Sequence, residues 1–199
     1  MGVTRVIAGE AGGRRLAVPD GRETRPTSDR AREGLFATVA SMAGPLTGAR
    51  VLDLYAGSGA VGLEALSRGA GHVLLVESGA RAANVIRQNI DAISLPGAAV
   101  LADRVERVLA RGPDQAPGGG RYDVVFADPP YVLADAGVSR VLSLLAAHAW
   151  LAPGALVIVE RATRSGPLGW PDGFEPDRAR TYGEATFWYG LASAGIAAR

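Results

Sequence analysis

Apolar positions follow two different periods along the chain, and the change between them divides it. Residues 3–8 alternate as a strand, residues 9–13 hold three glycines, and residues 14–18 return to an extended pattern, so the start predicts a β-hairpin. Residues 19–26 are polar, carry two prolines and read as a loop. Thr27, Ser28 and Asp29 offer helix N-caps, and Ala31, Leu35, Val39 and Met42 recur at helical spacing. A helix is therefore predicted to about Ala43, stopped by Gly44-Pro45.

From residue 49 the pattern becomes strand and helix in alternation. Strands are predicted at 51–55, 73–77, 98–102, 122–127 and 155–160, and helices at 61–68, 81–93, 104–111 and 138–150, with a loop over 114–121. Runs such as VLDLY and YDVVFA leave no polar face, which is the signature of a parallel sheet covered by helices on both sides. The end differs: 178–182 and 185–190, separated by Gly183-Glu184, predict a closing antiparallel hairpin. The expected organisation is an N-terminal hairpin and helix over 1–45, a sheet domain over 46–192 and a tail over 193–199.

Composition narrows the chemistry. The 199 residues, 48% of them hydrophobic, suffice for one domain with a sizeable core. The absence of cysteine excludes a disulfide scaffold, a thiolate metal site and a cysteine nucleophile. His72 and His148 are too isolated to suggest a metal centre, so no metal is expected. No apolar run is long enough for a signal peptide or a membrane span, and a cytoplasmic protein without a membrane partner is expected. A net charge of +1 gives no bulk argument for a nucleic-acid partner. All basic residues are arginine, and in the first forty positions they cluster at Arg14-Arg15 and from Arg25 to Arg32, which on charge alone reads as a solvated face.

The strand VLDLY runs straight into Ala56-Gly57-Ser58-Gly59-Ala60-Val61-Gly62, and a helix follows. Glycines there let the backbone approach a ligand at the C-terminal edge of a parallel sheet. The Gly57-x-Gly59-x-x-Gly62 spacing also matches a dinucleotide loop, but Asp53 inside the strand suits a cationic ligand better than a pyrophosphate. S-adenosylmethionine, with its sulfonium and amino group, fits that pair of features. Glu77 ends the next strand, where an acid can accept from ribose hydroxyls, and Asp103 ends the third, within reach of an adenine amino group. The cofactor set expected on this reading is Asp53, Tyr55, Ala56, Gly57, Ser58, Gly59, Glu77, Ser78, Asp103 and Arg104, with Thr27 closing over it from the head of the first helix.

Asp128-Pro129-Pro130-Tyr131 ends the fourth predicted strand. An exocyclic base nitrogen is a poor nucleophile because its lone pair is delocalised into the ring. Asp128 and the Pro129 carbonyl can accept its two hydrogens, the prolines fix that carbonyl through their restricted φ, and Tyr131 offers a stacking ring. Asp128 would also stabilise charge developing on the nitrogen.

DLYAGSGAVGLEAL over 53–66, Ser67-Arg68-Gly69-Ala70, Glu77 and DPPY together resemble the RsmD-type 16S rRNA guanine-N2 methyltransferases. RVIAG at 5–9, GRRL at 13–16, RPTSDRAREGLF at 25–36 and Tyr182-Gly183 extend the resemblance over most of the chain, and the RPTSDRAREGLF tract distinguishes this family from other amino-methyltransferases. Two positions depart from the family: Ala37 stands where asparagine is common, and Tyr55 where phenylalanine is usual. The resemblance implies a Rossmann-like, seven-stranded class I S-adenosylmethionine-dependent methyltransferase sheet with an N-terminal β-hairpin that helps hold RNA. It also implies that the substrate is 16S rRNA in the small ribosomal subunit or an assembly intermediate; a monomer is expected. Within it Arg5, Arg14, Arg15, Arg25, Arg30 and Arg32 become candidate phosphate contacts, with a solvated face as the other reading of each. Three rivals stay open: an adenine-N6 methyltransferase, a nicotinamide-dependent oxidoreductase and a non-catalytic ribosome-assembly factor on the same fold.

Overall fold

The computed structural model describes residues 2–19 and 28–193. In those residues the strands are β1 (Gly2–Arg5), β2 (Arg15–Val18), β3 (Arg50–Leu54), β4 (His72–Val76), β5 (Ala98–Leu101), β6 (Tyr122–Ala127), β7 (Leu151–Ala162), β8 (Phe174–Tyr182) and β9 (Ala185–Ala192). The helices are α1 (Asp29–Ala43), α2 (Ala60–Ser67), α3 (Ala80–Ile93), α4 (Val105–Arg111) and α5 (Asp135–Ala147). Ser28 caps α1, its hydroxyl oxygen accepting from the Ala31 N–H at 3.2 Å.

Seven strands form one sheet in the order β5-β4-β3-β6-β7-β9-β8. The first five are parallel, whereas β9 runs antiparallel to both β7 and β8. The order reverses between β3 and β6, and in open parallel sheets that switch point is where a crevice opens beyond the strand ends. This is the seven-stranded α/β sheet expected, and β1 with β2 forms the separate N-terminal hairpin.

Side-chain alternation sorts the core into two layers. Val51, Val73, Val124, Phe126, Leu156 and Ile158 face α1, α2 and α3, meeting Leu35, Phe36, Leu63 and Ile86. Leu52, Leu74, Val125, Val157 and Val159 point the other way, onto Val108, Leu109, Leu142 and Leu145 of α4 and α5. The hairpin shares the first layer, with Val6, Ala11 and Leu16 buried in it beside Leu35 and Phe36 of α1.

Four elements differ from the sequence pattern by three residues or more at an end. The first strand ends at Arg5 rather than residue 8, because the Ile7 and Ala8 N–H groups turn to the Glu64 carboxylate on α2, at 2.6 and 3.0 Å, instead of to β2. Strand β7 is longer than 155–160 at both ends: Leu151 pairs with Tyr122 ahead of a bulge, and Arg161 and Ala162 pair with β9. Strand β8 starts at Phe174 rather than 178, the irregularity at Pro176 hiding its alternation. Helix α5 starts earlier, at Asp135, and ends at Ala147.

Two outlying pieces of the resemblance meet in space. A Cβ on Gly34 would lie 2.1 Å from the Tyr182 hydroxyl, so only glycine in α1 leaves room for that ring. Tyr182 in turn packs on Phe187, with ring centres 5.8 Å apart.

Candidate active site

The glycine loop follows β3 and the DPPY segment follows β6, the two neighbours at the switch point. Leu54 pairs with Ala127, and the Asp128 N–H donates to the Leu54 carbonyl at 3.3 Å. Segments far apart in sequence therefore lie side by side at one sheet edge.

The loop is braced from within by acids. Asp53 is buried and its Oδ2 accepts from the Gly62 N–H at 2.9 Å, fixing the first turn of α2. Glu77, also buried, accepts from the Gly57 N–H through Oε2 at 2.9 Å and from the Gly79 N–H through Oε1 at 2.8 Å. Charged acceptors of backbone N–H groups make strong hydrogen bonds, so these two carboxylates set the loop's shape. Gly59 caps α2 at φ +78°, and a Cβ there would meet Leu75 at 2.9 Å.

Tyr55, between strand and loop, is strained: its φ of 61° lies in the left-handed region that side chains rarely adopt. Its hydroxyl approaches Glu106 Oε1 at 3.4 Å, and burial, reinforced by Glu106, pushes its pKa well above the usual tyrosine value. Ala56 and Ser58 are half-buried in the loop, and Ser78 is exposed just past Glu77.

Asp103, expected at the adenine edge, is engaged by α4 and its N-cap. Its carboxylate accepts from the Arg104 N–H at 2.8 Å and pairs with Arg107 at 3.4 Å and Arg111 at 2.9 Å. That N–H and those guanidiniums hold its pKa below the usual aspartate value. It sits at the head of α4, whose N-cap is Arg104.

At the other half of the site Pro129 is buried, Asp128 half-buried, and Tyr131 is 42% exposed. Burial, then Glu160, Asp128 and Glu184, raise the Tyr131 pKa, with Arg164 opposing them. The loop after Tyr131 is tied down by Arg161 of β7, which is 5% exposed, donates to the Leu133 carbonyl at 3.0 Å and pairs with Asp135 at 2.7 Å. Val132 beside it is almost fully exposed.

Of the candidate arginines, Arg5, Arg14, Arg15 and Arg30 are exposed, Arg5 pairing with Asp29 at 3.0 Å and Arg14 donating to the Ala92 carbonyl at 2.9 Å. Arg32 is not a surface contact. It is 1% exposed, and its Nη2 donates to Thr4 Oγ1, the Arg5 carbonyl and Asp29, joining β1 to α1. The hydrogen bond from Arg32, with Arg5 adding to it, holds the Asp29 carboxyl below the usual range. Arg25 and Thr27 lie outside the described residues.

Three polar residues were missed in the sequence. Glu64 is fully buried, accepting from Ile7, Ala8 and, at 2.7 Å, the Arg68 guanidinium. Buried Asn89 of α3 bonds both backbone groups of Ala17 and donates to the Ser58 carbonyl at 2.8 Å, linking hairpin to glycine loop. Glu160, 8% exposed, closes the apolar run of β7 two residues before the strand ends, much as Glu77 and Asp128 close theirs, and that repetition was visible in the sequence. Among the described residues no group of three His, Cys, Asp or Glu side chains could hold a metal ion, and no helix is long and apolar enough to cross a membrane.

The sheet order, the acid-braced glycine loop and the DPPY segment beside it define a class I S-adenosylmethionine-dependent methyltransferase. Residues 4–190 match the family model described as "Conserved hypothetical protein 95". The chain belongs to the rRNA small subunit methyltransferase D family. It is 33% identical over 186 residues to the Escherichia coli protein of that name, covering 94% of this chain and 88% of the relative. Against the Haemophilus influenzae protein of the same name it is 33% identical over 187 residues, covering 94% and 92%. The solved Escherichia coli yhhF structure superposes with a TM-score of 0.83 at 31% identity, over 97% of this chain and 99% of that one.

Proposed function

We propose that the protein transfers a methyl group to the exocyclic N2 amine of a guanine in 16S rRNA of the small ribosomal subunit or an assembly intermediate, acting as a cytoplasmic monomer. The observation that carries the reading is the adjacency of two half-sites, a loop braced by Asp53 and Glu77 and an acceptor segment headed by Asp128. The names of the Escherichia coli and Haemophilus influenzae relatives support the choice of small-subunit rRNA.

S-adenosylmethionine supplies the methyl group as an electrophilic substituent on its sulfonium. Gly57, Ser58 and Gly59, with Tyr55 and Ala56, would hold it. Glu77, with lone pairs left on both oxygens after bracing the loop, takes the ribose hydroxyls, and Ser78 flanks them. Arg104 and the edge of α4 border the adenine side.

Asp128 accepts one N2–H and the Pro129 carbonyl the other, directing the nitrogen lone pair toward the cofactor side. A carboxylate oxygen of Asp128 then takes the proton released on methylation. Tyr131 stacks on the target base, which leaves its own stack at a cost of a few kcal/mol. Arg5, Arg14, Arg15 and Arg30 meet phosphates around it.

Nucleoside analysis of 16S rRNA from cells lacking the protein tests the reading. One N2-methylguanosine should disappear and return on complementation with the wild-type chain. An unchanged N2-methylguanosine content would refute it.

A further inference from the structure

Glu160, near the end of β7, has no role in the account so far. Strands β6 and β7 are parallel neighbours with Ala127 opposite Val159, so the next pair in register is Asp128 and Glu160. Along β6, Val124 and Phe126 face the layer of α1 to α3, and Asp128 continues that face. Along β7, Leu156 and Ile158 do the same, and Glu160 continues it. Two carboxylates therefore leave adjacent strands, ~4.8 Å apart in such a sheet, toward the same face at the same edge. Both bear electrostatically on the Tyr131 ring, as Glu184 does from the turn between β8 and β9.

Two carboxylates side by side present an array of hydrogen-bond acceptors. Two adjacent donors on one base edge are matched to such a pair. Guanine presents N1–H beside its N2 amine. Adenine presents a bare N1 lone pair beside its N6 amine, so an acid facing that position meets an acceptor. Reading a flipped base through its Watson–Crick edge is the general means by which enzymes of this kind choose among bases.

We propose that Glu160 determines base specificity, its carboxylate accepting N1–H of the target guanine while Asp128 accepts from the N2 amine. The inference rests on the guanine-N2 reading above and adds the residue that enforces it. No covalent step involves Glu160: it excludes adenine by placing an acceptor against an acceptor.

The test uses small subunits whose 16S rRNA carries 2-aminopurine at the methylated position. This analogue keeps the 2-amine and loses N1–H. The wild-type enzyme should prefer guanine by about a hundredfold or more in kcat/KM, since sites built to bind a polar hydrogen strongly reject analogues without it. Glu160→Gln, whose amide can donate to a bare N1, should lower guanine turnover and shrink that preference at least ~10-fold. Its affinity for S-adenosylmethionine should be unchanged. An unchanged guanine to 2-aminopurine ratio in Glu160→Gln, whatever the absolute rate, would make Glu160 a structural group. If that variant does not fold, the wild-type ratio still decides, because equal turnover of the two bases means that N1–H is not read. A wild-type product other than N2-methylguanosine would instead overturn the guanine-N2 reading itself, before the role of Glu160 arises.

Discussion

At the scale of single residues the account turns on Asp128. If it acts on the target amine, Asp128→Ala should lower turnover by ~10²–10⁴-fold while leaving cofactor affinity close to wild type. Isothermal titration with S-adenosylmethionine beside a methyl-transfer assay separates the two. A collapse of affinity would make Asp128 a cofactor ligand. The acids at strand ends were legible in the sequence, because a carboxylate closing an apolar run has few places to go except the sheet edge. Which partner each acid takes was less legible. Asp103 was expected near an adenine, and its pairing with Arg107 and Arg111 of the following helix was not foreseen. Arg32 looked like its exposed neighbours, and only the approach of β1 to α1 buries it. Pairings across the fold leave no local pattern.

At the scale of elements, the N-terminal hairpin is docked through polar contacts as well as apolar ones. Glu64 and Ser67 of α2 take the backbone N–H groups of Ile7, Ala8 and Ala11, and Asn89 of α3 accepts from the Ala17 N–H and donates to the Ala17 carbonyl. Replacing Asn89 by Ala leaves buried backbone groups of β2 unpaired, a loss of about 1–3 kcal/mol. Denaturant unfolding should show that loss, and amide exchange should quicken at Ala17. Because Asn89 also holds the Ser58 carbonyl, cofactor affinity should fall several-fold too. Unchanged stability and affinity would mean the clamp carries nothing. The hairpin and every core strand were visible in the hydrophobic periods. Their exact ends were not, since the exit of β1 depends on Glu64, and β7 is extended by pairing with β6 and β9. Glu64 did leave one trace: it is a lone charge in an otherwise apolar helix, AVGLEALS.

At the scale of the whole molecule, a net charge of +1 makes RNA binding a matter of local patches rather than overall attraction. Arg14 and Arg15 stand exposed on the hairpin. Replacing both by alanine should weaken RNA binding and make the slope of log K against log salt shallower by roughly 1.4–1.8, the loss of two phosphate contacts. A slope equal to wild type would return both to the solvated surface. A parallel sheet was implied by alternating strands and helices, but the strand order that builds the site, and the antiparallel wedge of β9 between β7 and β8, needed the structure.

The central claim is that these half-sites methylate a guanine amine in small-subunit rRNA. The direct measurement is transfer from labelled S-adenosylmethionine to small subunits lacking the modification, with naked 16S rRNA and DNA in parallel and the product nucleoside identified. The account predicts label in N2-methylguanosine, with the ribosomal substrate preferred over DNA. Label in N6-methyladenine would contradict it, and cofactor binding without any transfer would leave a methyltransferase fold serving ribosome assembly without catalysis.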